Sequence, residues 1–339
     1  EFGKKFGKCP LHTHHTTSLV FNDPPKHTVV RKLLAGAFTP RKLAEFDPLI
    51  DRIVDRLLDR VEDMGSFDMI DDFAKVLPTE IISFMLGVPE EGQPQFKKWS
   101  NDIARGLEGF DGTVSAIERL DMGQKSLLEL SDYFRGIIKN LKEQPKDNLL
   151  NSLVEVEEAG DRLTEQEIVA NCVMIMFAGN ETTRTAIIHG GLAFAQQPDQ
   201  WDALRGDPGL TGSAVEEVIR WASPILHMRR TASRDTVLAG TAIAAGDKVV
   251  MWYAAANRDP EVFDEPFRFD VTRSDNPHFA FGGGGPHFCL GAFLAKMEIQ
   301  VLLEEMVGRG IRLEQRAEPV RLASNFVHGV ESLQLGVMA

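Results

Sequence analysis

Three clusters hold most of the chemical capacity of this sequence. The first is Phe281-Gly282-Gly283-Gly284-Gly285-Pro286-His287-Phe288-Cys289-Leu290-Gly291. Four successive glycines remove side chains, so backbone can approach a flat ligand closely. Cys289 follows where a helix is expected to begin, and helix-start N–H groups with the dipole favour thiolate over thiol. A thiolate beside a glycine platform suits an iron ligand. The plain alternative is a glycine loop with an idle buried cysteine. A phosphate loop is a poor rival, because no Gly-Lys-Ser/Thr follows. The second cluster is Ala178-Gly179-Asn180-Glu181-Thr182-Thr183. There a Thr hydroxyl competes for a backbone carbonyl, and a loosened helical turn would set a carboxylate and a hydroxyl beside a cavity. Taken alone, this cluster reads better as a helix kink with Thr back-bonding. The third is Glu217-Val218-Ile219-Arg220, an i, i+3 pair on one helix face. Its apolar neighbours imply burial, where an unpaired charge is costly. Arg268, in Pro266-Phe267-Arg268-Phe269-Asp270, is the candidate third member of a buried charge network.

The elements that must position these groups are mostly helical. Leu49, Ile50, Ile53, Val54, Leu57, Leu58 and Val61 form one stripe at helical spacing, and Phe73 to Leu86 a second. A third lies between Leu120 and Leu141. The strongest signal runs from Thr164 to about Gln197. Thr164 reads as N-cap and Glu167 as its capping-box partner. The segment Ile168–Ala178 is apolar nearly all round, so this helix should be buried. Strand signals begin after residue 224: Thr236–Leu238, Lys248–Ala254 and the tail Arg321–Val337. A last helix, Leu290–Val307, follows the glycine loop. The expected fold class is mainly α with small β-sheets, as one domain over residues 1–339.

Composition narrows the partners. The chain has 339 residues with 37 Lys+Arg against 50 Asp+Glu, a formal net charge of −13. That disfavours a general nucleic-acid binder. Three cysteines exclude a disulfide framework. The longest apolar run, Cys172–Gly179, is far short of the ~20 residues a bilayer needs, and no signal peptide is visible. Cys9 reads as an idle loop thiol and Cys172 as core packing. His12, His14 and His15 lack the partners a metal site needs.

The order of acid-Thr helix, E-x-x-R pair and glycine loop with cysteine resembles the cytochrome P-450 family, the haem-thiolate monooxygenases, most of all its soluble bacterial members. The resemblance covers about Phe21 to the C-terminus. It implies haem b (iron protoporphyrin IX) with Cys289 as the iron ligand. Thr182 would hold dioxygen and water, with Glu181 helping to pass protons. Glu217, Arg220 and Arg268 would form a structural triad. His27 and Arg31, one turn apart, match the family's propionate clamp, and Arg230 and His287 match its other propionate contacts. Phe281, Gly291 and Ala178 would line the cofactor. Phe281 precedes Cys289 by eight positions where the common pattern has seven, which implies a one-residue bulge. Some members acting on steroids, terpenoids and branched lipids look similar in this. Only about twenty residues precede Phe21, so the usual N-terminal portion is expected to be absent. The implied partners are O2, a small hydrophobic substrate (a small aromatic acid stays open), and a ferredoxin with its reductase. The implied location is the cytoplasm. Arg41, Arg60 and Lys296 are candidate docking cations. Rival readings are a haem-binding form or sensor without efficient turnover, a peroxide-using variant, and a cysteine hydrolase using Cys289 with His287.

Overall fold

The computed structural model describes residues 17–107, 116–146, 148–155 and 163–338. Ten helices carry the argument: α1 Lys26–Ala35, α2 Asp47–Met64, α3 Val76–Met85, α4 Gln93–Leu107, α5 Ala116–Glu143, α6 Leu149–Glu155, α7 Glu165–Gln196, α8 Pro198–Gly206, α9 Thr211–Ala222 and α10 Ala292–Arg309. The stripe of α2 is buried as its spacing requires, and the helix ends at Gly65 in the left-handed region. In α7 the Thr164 hydroxyl accepts from Glu167 N, and the Glu167 carboxylate accepts from Thr164 N. Its 32 residues span about 48 Å at ~1.5 Å each. Helices α3, α4, α5, α9 and α10 all pack against it. Most of the buried apolar residues form one contiguous cluster around that axis. Among the described residues no helix is long and apolar enough to cross a membrane.

The sheets are small: β1 Ser66–Asp68, β9 Gln334–Met338 and β6 Arg312–Gln315 form an antiparallel three-stranded sheet in the order β1-β9-β6. The others are antiparallel pairs: β2 His227–Thr231 with β5 Lys248–Trp252, β3 Thr236–Leu238 with β4 Thr241–Ile243, and β7 Val320–Arg321 with β8 Val330–Ser332.

Several boundaries differ from those expected from the sequence. Strands are not confined to the second half, because β1 lies early; three residues are too short to show alternation. Strand β5 stops at Trp252 and turns into a short helix, Tyr253–Ala256. Helix α3 is preceded by a wide turn, Met69–Ala74, in which Lys75 N bonds Ile70 O. The expected loosened turn in α7 is not formed. The helix is unbroken there, and Thr182 Oγ1 donates to Ala178 O at 2.7 Å, adding to the backbone ladder instead of replacing it. Gly179 serves packing: a Cβ there would lie 2.6 Å from Ile82 Cδ1 of α3.

Candidate active site

A cavity of about 270 Å³ lies between α7 and the cysteine loop. From α7 it takes Asn171, Met174, Ile175, Ala178, Gly179, Thr182, Thr183 and Ala186, spaced three and four apart as one helix face. From the opposite side come Phe281, Gly282, His287, Cys289 and Gly291, then Leu294, Ala295 and Glu298 on α10. His27 and Arg31 enter from α1, one turn apart, and Arg230 from β2. The cysteine loop, the Thr182 face of α7 and the candidate propionate contacts therefore converge on this cavity.

The loop is built from backbone. Gly282, Gly284 and Gly285 have φ of 85°, 87° and 78°, which side-chain-bearing residues rarely adopt. Cys289 N bonds Phe281 O at 2.9 Å, closing the loop on itself. Helix α10 starts at Ala292, so Cys289 lies before its first turn. The Cys289 side chain opens onto the cavity. Burial pushes its thiol up, while the Gly291 N–H and the Arg31 charge oppose that shift. A bound cation would supply what the loop alone does not, since coordination to a metal deprotonates a thiol outright.

The rim of the cavity is cationic. His27 is buried, its ring lies 4.2 Å from that of His287 at a tilt of 47°, and neither of its ring nitrogens has a hydrogen-bond partner among the described residues. Burial, reinforced by Arg31, lowers the His27 pKa; burial, then His27 and Arg230, lowers that of His287.

Glu181, Arg268, Glu217 and Arg220, all singled out in the sequence, do not line the cavity. Glu181 is buried on another face of α7 and pairs with Arg184. Burial pushes its carboxyl up against the pull of that guanidinium. Arg268 is not the third member of the charge network. Its side chain is exposed and pairs with Glu265 at 2.9 Å. The place is taken by Arg273, whose Nε reaches Glu217 Oε2 at 3.3 Å. The segment around Arg268 is a turn and not a strand, so the burial of Phe269 and Val271 beside it gave no periodic signal for where Arg268 would point.

The network itself is complete. Arg220 Nε and Nη2 donate to the two Glu217 oxygens at 2.7 Å each. Its remaining N–H groups go to the carbonyls of Asn257, Pro266 and Arg268. Glu217 also accepts from Asp270 N and Asn276 Nδ2. Asn257 links network to loop, because its side-chain oxygen accepts from Phe279 N at 2.6 Å.

The candidate docking cations are largely engaged. Lys296 binds Glu216 at 2.5 Å and lies over the Phe281 ring, and Arg60 pairs with Asp72 at 2.6 Å; Arg41 is exposed. Cys9, His12, His14 and His15 lie outside the described residues. Cys172 is buried and its thiol is pushed far up, as core packing requires. Glu298 and Tyr253 are among the cavity residues that were not foreseen from the sequence. Glu298 is buried, its carboxyl raised by burial alone, with Oε2 unpartnered among the described residues. Helical spacing from Gly291 through Leu294 and Ala295 pointed to it. Tyr253, beside Gly282, had no comparable signal.

A family model described as Cytochrome P450 matches residues 2–208 and 196–309. The chain belongs to the cytochrome P450 family. This P450 is 39% identical over 320 residues to a methyl-branched lipid omega-hydroxylase of Mycobacterium tuberculosis, covering 93% of this chain and 74% of that one. It is 34% identical to a steroid C26-monooxygenase of Rhodococcus jostii, covering 94% and 65%. Among solved structures it resembles a Mycobacterium marinum cytochrome P450 in complex with pseudoionone, with TM-score 0.89 and 34% identity over 96% of this chain and 79% of that one. The chain is thus a monooxygenase that carries haem b and acts on hydrophobic substrates with O2 and electrons from redox partners.

Proposed function

We propose that this P450 hydroxylates a lipid- or steroid-like molecule in the cytoplasm, with electrons from a ferredoxin and its reductase. The observation that carries the reading is a single cavity with a cysteine sulfur on one side, a helix face bearing Thr182 on the other, and paired imidazoles and guanidiniums at one rim. The donor set suits haem. It offers one sulfur for iron, guanidiniums that can each give a carboxylate two parallel hydrogen bonds, and a buried imidazole without a protein partner among the described residues. Cys289 would bind the iron, steadied by the Gly291 N–H. Arg31, Arg230, His27 and His287 would hold the propionates, and Phe281, Gly291 and Ala178 would pack against the macrocycle. Haem, when bound, supplies the redox chemistry that inserts one oxygen atom of O2 into a C–H bond and reduces the other to water.

The remaining chemistry belongs to this chain. The Thr182 proton goes to Ala178 O, so the hydroxyl presents lone pairs to the cavity and accepts from a protonated group there. Glu181, paired with Arg184, stands behind Thr182 as a proton reserve reached only by movement of its side chain. Ile82, Met174, Ile175, Ile225 and Met228 form apolar walls that exclude water. Glu217, Arg220 and Arg273 act structurally, holding the loop through Asn257. The one contiguous core supports reading residues 1–339 as a single domain. The relatives named for methyl-branched lipid and steroid oxidation support the substrate class.

Cys289→Ser tests the reading. The reduced, CO-treated variant should lose the thiolate-type spectrum completely while circular dichroism stays unchanged. Survival of that spectrum would refute the ligand assignment. With the wild-type holoprotein, a methyl-branched fatty acid or a sterol should shift the haem absorption band and support NAD(P)H consumption through a ferredoxin pair. A response confined to small aromatic acids would overturn the substrate class.

A further inference from the structure

Asn171 lies in the most apolar stretch of α7, between Ala170 and Cys172, and is 1% exposed. An amide in a helix interior is unfavourable unless it has work there. Both ends of this one are used. Its Nδ2 donates to Glu167 O at 2.8 Å, one turn back on the same helix. Its Oδ1 accepts from Leu19 N at 2.9 Å, on a segment far away in sequence. That segment, residues 17–22, is stiffened internally, since Asn22 Nδ2 bonds Ser18 O at 2.8 Å. Leu19 and Val20 both line the cavity, and Val20 is also 42% exposed, so the segment forms part of the mouth. A second tether, Lys26 to Glu167 at 2.6 Å, is surface-exposed on the lysine side and contributes little.

We propose that Asn171 is a positioning residue that latches the 17–22 strap across the cavity mouth and so sets how long a hydrophobic ligand is retained. The use of the cavity for such a ligand rests on the proposed function; the latch does not. The amide fixes Leu19 and Val20 as one wall. Without the Leu19 bond the strap swings out while Thr182 and Cys289 keep their places.

The test compares Asn171→Ser with Asn171→Asp in the holoprotein. Serine can keep the bond to Glu167 O, because a helical hydroxyl reaches the i−4 carbonyl, but is too short for Leu19. Aspartate keeps the acceptor for Leu19 N–H. Hydrogen exchange of residues 17–22 reports the latch without reference to haem. It should quicken about tenfold in Asn171→Ser, the factor carried by one net hydrogen bond, and return most of the way in Asn171→Asp. The functional probes are imidazole and 1-dodecylimidazole, followed by absorption. Release of the dodecyl probe should quicken by a similar factor, while imidazole affinity and thermal midpoint hold. Unchanged exchange in a folded Asn171→Ser protein overturns the latch, as does fast exchange with unchanged dodecyl release. If neither azole perturbs the wild-type spectrum, the cofactor reading fails, and exchange alone decides the latch. If Asn171→Ser does not fold, equal exchange in wild type and Asn171→Asp supports the acceptor role, and fast exchange in Asn171→Asp refutes it.

Discussion

Glu217 and His27 are both buried polar side chains, yet their surroundings are opposite. Glu217 accepts from Arg220, Arg273, Asp270 N and Asn276, and Arg220 spends its donors on that carboxylate and three carbonyls. His27 touches His287 and has no hydrogen bond to either ring nitrogen among the described residues. Closing every bond costs nothing in function where the role is to hold a loop. Leaving bonds open is tolerable only where another molecule will close them, because an orphaned buried polar group is destabilising by ~1–3 kcal/mol. The charge network is thus finished as protein, and the cavity rim is finished only with a ligand.

The sharpest way to break this contrast is Glu217→Ala. It strands Arg220 in a fully buried site, at a cost of about 3–5 kcal/mol, a large share of the ~5–15 kcal/mol of a typical domain. The expected outcome is failure to accumulate folded holoprotein, read by urea unfolding and haem content. Normal values for both would mean that the network does not bear on the fold. A smaller effect separates two arginines. Arg273→Ala should lower unfolding free energy by roughly 1–3 kcal/mol, and Arg268→Ala by less than ~0.5 kcal/mol. Equal effects would return Arg268 to the network. The smallest effect on folding belongs to His27→Leu. With no internal hydrogen bond to lose, the thermal midpoint should barely move, while haem transfer to an acceptor globin quickens about tenfold. A collapse in stability with unchanged transfer would make His27 a structural residue.

How much of this was legible in the sequence depended on whether a signal was local. The helix α7, its capping box and the stripe of α2 followed from spacing alone. Cys289, Thr182, Arg31 and Arg230 carried motif signals, and the fold brings all of them to one cavity. Arg273 was missed because its reach to Glu217 is set by a turn after the buried Phe269 and Val271, which no periodicity encodes. Glu181 was placed by its neighbour Thr182, but adjacent positions on a helix point about 100° apart, and Arg184 at i+3 claims it. Asn171 and Tyr253 were invisible because their partners, Leu19 and the Gly282 loop, come from distant parts of the chain.

Strand β1 holds its register on β9, and Ser66 Oγ bonds Leu335 O across 269 positions. Closing so wide a loop is entropically slow, and β9 is the one strand that pairs with β1 among the described residues. The sheet that holds β1 therefore cannot close until both β6 and β9 have been made. Cys289 precedes both strands in the chain, so the cysteine loop is made before that sheet can close around the early helices.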